Sequence, residues 1–374
     1  MRMNRQMPVI IFILVLITFV NIYPCTSFIY KNGEFLFMGH NFDWITGTGL
    51  LIVNPGNLCK ASLVDSSETP VEWTSKFGSI TFNQVGRELP FGGMNERGLA
   101  IVQMGLNTTV YPSKDSRPVI GACQWIQFQL DNFETVEEVI HSDSLLRIVD
   151  TNSKFHYLAG DRFGNSAVIE FLEGRMVSYT SENLPLPVLA NSSYAESIDC
   201  YKKKCDTQMN RSLFNFCTAA GQIQSPNRSN ADSPVDGVFD ILNSVSQGPL
   251  TKWSIVFDIS EMKIYFKCFE TPTIVGERKI FLRPPGEAKI KIVSLNEFSF
   301  SCHEKVKVLD VHDPNDGEVN TYFMDYSKEI NLEFIREAFT FYKNWGASIE
   351  LNDEIIEYMA GFPESFHCMG TDGK

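Results

Sequence analysis

The chain has 374 residues, of which 44% are hydrophobic and 21% charged, and its formal net charge is −13. This composition is that of a globular protein and excludes collagen-like and disordered chains. The acidity also argues against nucleic-acid binding, which needs a basic surface.

The first 24 residues have the pattern of a removable secretion signal. Two arginines precede an almost wholly apolar run over residues 7–20, which is shorter than the roughly 20 residues that span a membrane. We therefore expect residues 1–24 to be cleaved, with no stable membrane insertion afterwards, and the protein to be secreted or periplasmic. A retained anchor and a lipoprotein acylated at Cys25 are the alternatives, although the residues up to Pro24 lack the small side chains of a lipidation site.

Cleavage would make Cys25 the first residue of the mature chain, with a thiol and a free α-amine on one residue. The amine can then serve as the base that activates the thiol. The chain contains nine cysteines, and an odd number in an exported protein leaves at least one thiol outside disulfides. Cys200 and Cys205 are close enough in sequence to pair. We expect no zinc site, because the histidines do not cluster at metal-ligand spacing.

The elements that follow are mainly strands joined by hairpins around a helical block, which indicates a layered α+β fold. Residues 26–30 and 35–40 predict a hairpin about an Asn-Gly turn, which would return residues 40–43 to Cys25. We predict further strands at 79–83, 89–94, 99–106, 155–160, 166–173, 176–179, 187–191, 253–259, 263–269 and 290–293, and helices at 124–130, 136–140, 239–245, 331–345 and 353–360.

Five short motifs follow one another along the chain: CTSF at 25–28, GHNFDW at 39–44, MNERGL at 94–99, VLAN at 188–191 and TKWS at 251–254. Together they resemble the choloylglycine hydrolase family of linear amide C–N hydrolases, which includes bile salt hydrolases and penicillin V acylases. The resemblance implies the N-terminal nucleophile (Ntn) hydrolase fold, an αββα sandwich of two antiparallel sheets between helical layers. We accordingly divide the chain into the signal at 1–24, an amidase domain at 25–285, and a partly helical C-terminal extension at 286–374 that completes the domain.

The resemblance also implies roles for individual residues. Cys25 would be the nucleophile, Asp43 the carboxylate that holds the α-amine, and Asn191 a donor to the oxyanion. The second oxyanion donor falls on Asn107 if a gap is allowed, and otherwise on the backbone N–H of Gly105.

Two positions depart from the family pattern. Bile salt hydrolases carry an arginine where this chain has His40, which could supply a positive charge only when protonated and could otherwise form a hydrogen bond. A second family arginine lies between a serine and a phenylalanine, where this chain has Leu213. Arg211 precedes that serine and is given no role, because neighbours along a strand point to opposite faces.

We therefore expect an enzyme that hydrolyses a small-molecule, non-peptide amide with an apolar acyl group through a thioester, without metal or cofactor. It could form a homo-oligomer. The alternative is an exported lipid-anchored or disulfide-containing binding protein without amidase activity. A papain-like protease is disfavoured, because the chain has no Cys-Gly-x-Cys-Trp stretch.

Overall fold

The structure is a computed structural model that describes residues 25–150, 153–205, 209–225, 233–275, 278–282, 287–344 and 352–370. The expected signal segment at 1–24 lies outside these residues. Within the described ranges, every helix is too short or too polar to cross a membrane.

The strands are β1 Thr26–Asn32, β2 Phe35–Asp43, β3 Leu50–Asn54, β4 Leu58–Ala61, β5 Glu72–Thr74, β6 Ser79–Asn83, β7 Pro90–Asn95, β8 Ala100–Gly105, β9 Val119–Ile120, β10 Arg147–Ile148, β11 Phe155–Gly160, β12 Ser166–Leu172, β13 Arg175–Thr180, β14 Val188–Leu189, β15 Thr251–Asp258, β16 Lys263–Cys268, β17 Thr271–Val275, β18 Arg278–Leu282, β19 Lys291–Ser294, β20 Lys307–Asp310, β21 Gly317–Glu318, β22 Met324–Asp325 and β23 His367–Cys368. The helices are α1 Ala122–Asn132, α2 Val136–His141, α3 Tyr194–Lys202, α4 Arg211–Ile223, α5 Pro234–Ser244, α6 Lys328–Asn344 and α7 Asp353–Gly361.

Two large sheets organise the described part of the chain. One has seven strands in the order β14-β1-β2-β15-β16-β19-β21, and the other has nine in the order β13-β12-β11-β8-β7-β6-β3-β20-β22. Within these two sheets, neighbouring strands are antiparallel apart from β19 and β21. The sheets face each other through aromatic side chains, since the Phe82 ring of the nine-stranded sheet meets Phe257 and Phe266 of the seven-stranded sheet edge-on.

Helices cover the outer face of each sheet. Helices α4 and α5 pack on β1, β2 and β15 of the seven-stranded sheet, and α1 packs on β7 and β8 of the nine-stranded sheet. Trp125 of α1 lies in one apolar cluster with Ile101 and Tyr157. The predicted αββα sandwich is therefore confirmed.

Residues beyond 290 contribute to both sheets. Strands β19 and β21 extend the seven-stranded sheet, and β20 and β22 extend the nine-stranded one. Helix α6 packs through Phe334 against Leu50 and Ile52 of β3. At its other end, the Tyr342 hydroxyl accepts a hydrogen bond from Trp44 Nε1 over 3.1 Å.

Local sequence signals explain most element boundaries. The β1–β2 hairpin turns at Gly33, whose φ of +62° suits glycine. Helix α2 begins with a capping box between Thr135 and Glu138. Helix α5 begins earlier than the predicted 239–245, because Ser233 caps its N-terminus and Pro234 occupies the first turn.

Candidate active site

Cys25 lies at the head of β1 with only 7% of its surface exposed. The hairpin register places Thr26 opposite Asn41, so continuing it by one residue brings Cys25 beside Phe42. The Cys25 thiol donates to the Asp43 carbonyl oxygen over 3.6 Å, and the Asp43 backbone N–H donates to the Cys25 sulfur over 3.4 Å. The hairpin thus returns Asp43 to Cys25, as the Asn-Gly turn predicted.

The resting thiol of Cys25 is neutral. Burial raises its pKa far above the usual value, and the negative charge of Asp43 adds to this shift. Because the thiolate is the reactive form of cysteine, a nucleophile in this position needs a base that removes its proton.

The Asp43 carboxylate is buried and only half satisfied. Its Oδ1 atom accepts a hydrogen bond from Thr251 Oγ1 over 2.5 Å. Its Oδ2 atom is buried and has no hydrogen-bond partner among the residues that the structure describes. Burial raises the pKa of Asp43 to about 7, against the opposing effects of the Thr251 bond and the Arg211 charge. Sequence reasoning placed Thr251 in a motif but gave it no role.

Arg211 lies close enough to lower the pKa of Asp43 through its charge. Arg211 is the first residue of helix α4, so the prediction that it lies on a strand and points away from the site is wrong. The side chain of Asn210 caps this helix by accepting a hydrogen bond from Leu213 N. That N-cap, ahead of an amphipathic run, was the signal that could have revealed the helix.

His40 forms a hydrogen bond and carries no charge at neutral pH. It lies opposite Ser27 in the hairpin, and its Nδ1 atom is 2.7 Å from Ser27 Oγ. Burial lowers the pKa of His40 to about 3. Of the two functions that the sequence left open for this residue, the geometry favours the neutral hydrogen-bonding one.

Asn191 lies two residues beyond β14, at the edge of the seven-stranded sheet. Strand β14 pairs with β1 so that Leu189 lies opposite Ser27, and two further residues along this register bring Asn191 opposite Cys25. Asn191 Nδ2 donates to the carbonyl oxygen of Gly105 over 2.7 Å. An amide nitrogen carries two hydrogens, so Asn191 retains a second one for another acceptor.

The backbone of Gly105 points toward this same edge. Opposing residues on antiparallel strands alternate between pairs that exchange backbone hydrogen bonds and pairs that do not. Leu106 N–H donates to the Lys154 carbonyl over 3.0 Å, so Leu106 and Lys154 form a hydrogen-bonded pair. Gly105, one residue earlier, therefore turns both its N–H and its C=O away from β11 and toward Asn191.

Asn107 lies two residues beyond β8 and is exposed. Its carbonyl oxygen accepts a bond from Lys154 Nζ over 3.4 Å. Cys25 thus contacts Asp43, Asn191 contacts Gly105, and the register of β1 and β14 links the two pairs. The exposed Asn107 is a less suitable second donor than Gly105. The catalytic roles of these residues remain predictions.

A row of aromatic rings borders this group. The Phe42 ring stacks on Trp253 with 4.4 Å between ring centroids and meets Phe91 edge-on at 5.5 Å. Phe91 in turn meets Phe155 at 6.3 Å, and Phe155 lies opposite Gly105. Phe42 and Trp253 are buried in the core, whereas Phe91 and Phe155 are half-buried and form the accessible end of this row.

The described residues contain two disulfides, Cys205–Cys217 and Cys302–Cys368. The Cys200–Cys205 pairing that the sequence allowed is therefore not the one found, although the Cys200 sulfur lies within 4.8 Å of both bonded sulfurs. His303 lies equally close to the second disulfide. In each group two of the three potential ligand atoms are joined to each other in the disulfide.

Comparison with known proteins agrees with this geometry. Residues 25–213 match the family model of linear amide C–N hydrolases, choloylglycine hydrolase family. A penicillin V acylase from Pectobacterium atrosepticum is 24% identical over 324 residues, which covers 72% of this chain and 85% of that protein.

Two solved structures share the fold. Penicillin V acylase from Agrobacterium tumefaciens superposes with a TM-score of 0.65 at 23% identity, covering 81% of this chain and 98% of the other. A variant of conjugated bile acid hydrolase from Clostridium perfringens superposes with a TM-score of 0.60 at 17% identity, covering 76% and 97%.

Proposed function

Because the chain belongs to the choloylglycine hydrolase family and is thus a linear amide C–N hydrolase, we propose that it is exported and cleaves its substrate through a thioester on Cys25. One observation carries this proposal. The Cys25 sulfur contacts the backbone of Asp43, whose second carboxylate oxygen is buried without a partner among the described residues.

That oxygen suits the α-amine released when residues 1–24 are removed. The amine belongs to the same residue as the thiol, and that thiol contacts the backbone of Asp43. The open carboxylate oxygen accepts a hydrogen bond from the neutral amine, which holds the amine in place, and its negative charge stabilises the ammonium that forms once the amine has taken the thiol proton. The neutral Cys25 thiol then has a base on its own residue.

The reaction proceeds in two halves. The Cys25 thiol transfers its proton to the α-amine, and its sulfur attacks the substrate carbonyl carbon. Asn191 Nδ2 and the Gly105 N–H donate to the resulting oxyanion. The C–N bond breaks, and the leaving amine takes the proton from the α-ammonium. Water, deprotonated by the α-amine, then attacks the thioester carbonyl, and the carboxylic acid and the Cys25 thiol are released.

The acyl group is apolar in this proposal. The half-buried rings of Phe91 and Phe155 supply an apolar surface that an aromatic acyl group could contact. Penicillin V, named in two of the relatives, is therefore the first substrate to test, followed by bile-acid conjugates and N-acyl amino compounds. Export is supported by the leader pattern and by the two disulfides, which persist in oxidising compartments.

Intact mass of the purified mature protein tests the proposal. We expect the chain to begin at an unmodified Cys25, and a brief reaction with substrate at low pH to add the acyl mass to that residue. Cys25→Ala should abolish hydrolysis and acylation while leaving the unfolding temperature nearly unchanged. A diacylglyceryl group on Cys25, a mature chain that begins elsewhere, or turnover by Cys25→Ala would overturn the mechanism.

A further inference from the structure

Two buried titratable residues behind the site have no part in the reaction described so far. His156 on β11 and Glu170 on β12 lie directly opposite each other when the strand register is continued by one residue. Both side chains are fully buried, and His156 Nδ1 is 3.2 Å from Glu170 Oε1. Burying such a pair is costly, so its partners indicate what it does.

Glu170 reaches the helix that follows Asn191. Its Oε1 atom also accepts a hydrogen bond from the backbone N–H of Tyr194 over 2.8 Å. Tyr194 is the first residue of α3, and the first N–H groups of a helix have no acceptor within that helix. A carboxylate at this end is stabilised both by the bond and by the helix dipole.

The segment that carries Asn191 is short and is held from both sides. On one side, β14 has two residues and pairs with β1 at Val188 and Leu189, with one further backbone bond from Ile29 N–H to the Pro187 carbonyl. On the other side, the Glu170 bond fixes the backbone of Tyr194, three residues after Asn191. The ring of Tyr194 is buried as well, so losing the bond would loosen the turn without detaching the helix.

His156 holds the carboxylate in turn. It lies opposite Met104 on β8, and the Met104 sulfur accepts a bond from Ser27 Oγ over 3.5 Å. His156 Nε2 and Glu170 Oε2 are buried and find no hydrogen-bond partner in the part of the chain that the structure describes. The interaction between His156 Nδ1 and Glu170 Oε1 therefore sets the direction of the carboxylate.

We propose that Glu170, oriented by His156, is a positioning residue that fixes the Asn191 turn so that its amide meets the oxyanion. This inference rests on the proposed function for its catalytic effect, but the bond to Tyr194 has a consequence that does not depend on turnover. A displacement of about 1 Å in a catalytic donor can cost up to about 100-fold in rate.

A double-mutant cycle tests the catalytic part. Glu170→Met removes the acceptor at nearly constant volume, whereas Glu170→Gln keeps an oxygen for the Tyr194 N–H. We expect Glu170→Met to lower kcat by about 10–100-fold with little change in KM, because the oxyanion exists only in the transition state. Glu170→Gln should restore most of kcat. When Asn191 is already replaced by alanine, adding Glu170→Met should lower kcat almost no further. Fully additive losses would overturn the proposal.

Asp161 offers a matched control. It is a buried carboxylate whose Oδ2 accepts from Val136 N–H, the first N–H of α2, over 3.0 Å. It follows the end of β11 that is remote from Phe155. Asp161→Ala should lower stability while leaving kcat unchanged. An equal loss of kcat in this variant would mean that the Glu170 effect is general destabilisation, and would overturn the proposal.

Hydrogen exchange provides a readout that needs no activity. In the wild-type protein the Tyr194 amide should exchange slowly, although it is the first of its helix. Its exchange should accelerate in Glu170→Met and stay slow in Glu170→Gln. A rapidly exchanging wild-type amide would overturn the inference even if no variant folds. If the wild-type protein hydrolyses none of the test substrates but the Tyr194 backbone N–H is protected from exchange, the proposed function fails. The bond between Glu170 and Tyr194 then still stands.

Discussion

Thr251 orients the carboxylate of Asp43 by donating to its Oδ1 atom over 2.5 Å. The backbone N–H of Gln247 and the hydroxyl of Ser246 both lie within hydrogen-bond distance of Thr251 Oγ1 as donors, at 2.7 and 3.0 Å. The hydroxyl proton of Thr251 is therefore free to point only at Asp43. This bond occupies one carboxylate oxygen, and in the proposed mechanism the other accepts a hydrogen bond from the α-amine of Cys25.

Removing this bond should shift the pH dependence of hydrolysis. Burial raises the pKa of Asp43 to about 7, and Thr251 opposes that shift. If the carboxylate form holds the amine, activity is lost as the pH falls through the pKa of Asp43. Thr251→Val should raise this pKa further and move the acid limb of kcat/KM to higher pH, while Thr251→Ser should not. An unchanged limb in Thr251→Val would contradict the role of Asp43.

Asp43 should affect stability in the opposite sense to activity. Activity should rise as Asp43 ionises, whereas the contribution of Asp43 to the free energy of unfolding should fall. The folded-state pKa of Asp43 lies above its unfolded value, so the folded protein binds more protons between about pH 4 and 7. The contribution of Asp43 to the free energy of unfolding is therefore largest at low pH and falls as the pH rises through 7. Asp43→Asn should remove this pH-dependent part, which urea titrations at several pH values would measure.

Arg211 should act on the acid limb through its charge alone. Arg211→Gln is expected to move the limb toward higher pH, as Thr251→Val does, but by less, because the charge has a smaller effect on Asp43 than the hydrogen bond. The side chain is partly in water, so salt should reduce the difference between variant and wild type. Profiles measured at about 0.01 M and 1 M salt would show this. A shift that is independent of salt would point to packing instead.

Asn191→Ala should lower kcat/KM by about 10²–10³, the usual effect of removing one oxyanion donor. The lost bond to Gly105 should cost about 1 kcal/mol of stability, which thermal unfolding would report. Asn107→Ala provides the comparison. If its kcat/KM stays within about twofold of wild type, the Gly105 N–H is the better second donor, whereas a loss of about 100-fold would restore Asn107 to the site.

His40→Gln should retain most of the activity, and the acid limb of its kcat/KM profile should stay at the same pH as in the wild type. Burial lowers the pKa of His40 to about 3, so the residue is neutral wherever the enzyme works, and glutamine can keep the bond to Ser27. Steady-state rates between about pH 5 and 8, the range in which an unperturbed histidine titrates, would test this. Loss of the limb would show that a protonated His40 takes part after all.

The hairpin that forms the core of the site could be predicted because its partners are near in sequence. The turn at Gly33 determines which residues of β2 lie beside Cys25. Contacts between distant segments could not be predicted in this way. The position of Asn191 relative to Cys25 depends on how β14 pairs with β1. The disulfide between Cys205 and Cys217 depends on the packing of α3 against α4. Arg211 was missed because its segment was treated as a strand.

The two large sheets also determine how the protein can be shortened. A recombinant chain ending near residue 285 would keep every candidate catalytic residue but would lose β19 and β20, the neighbours of β16 and β3. Both of those strands would then present unpaired backbone groups, and Leu50 and Ile52 would lose the cover of Phe334. Exposed edges of this kind invite intermolecular pairing, so such a truncated protein should aggregate on expression even though its active-site sequence is intact.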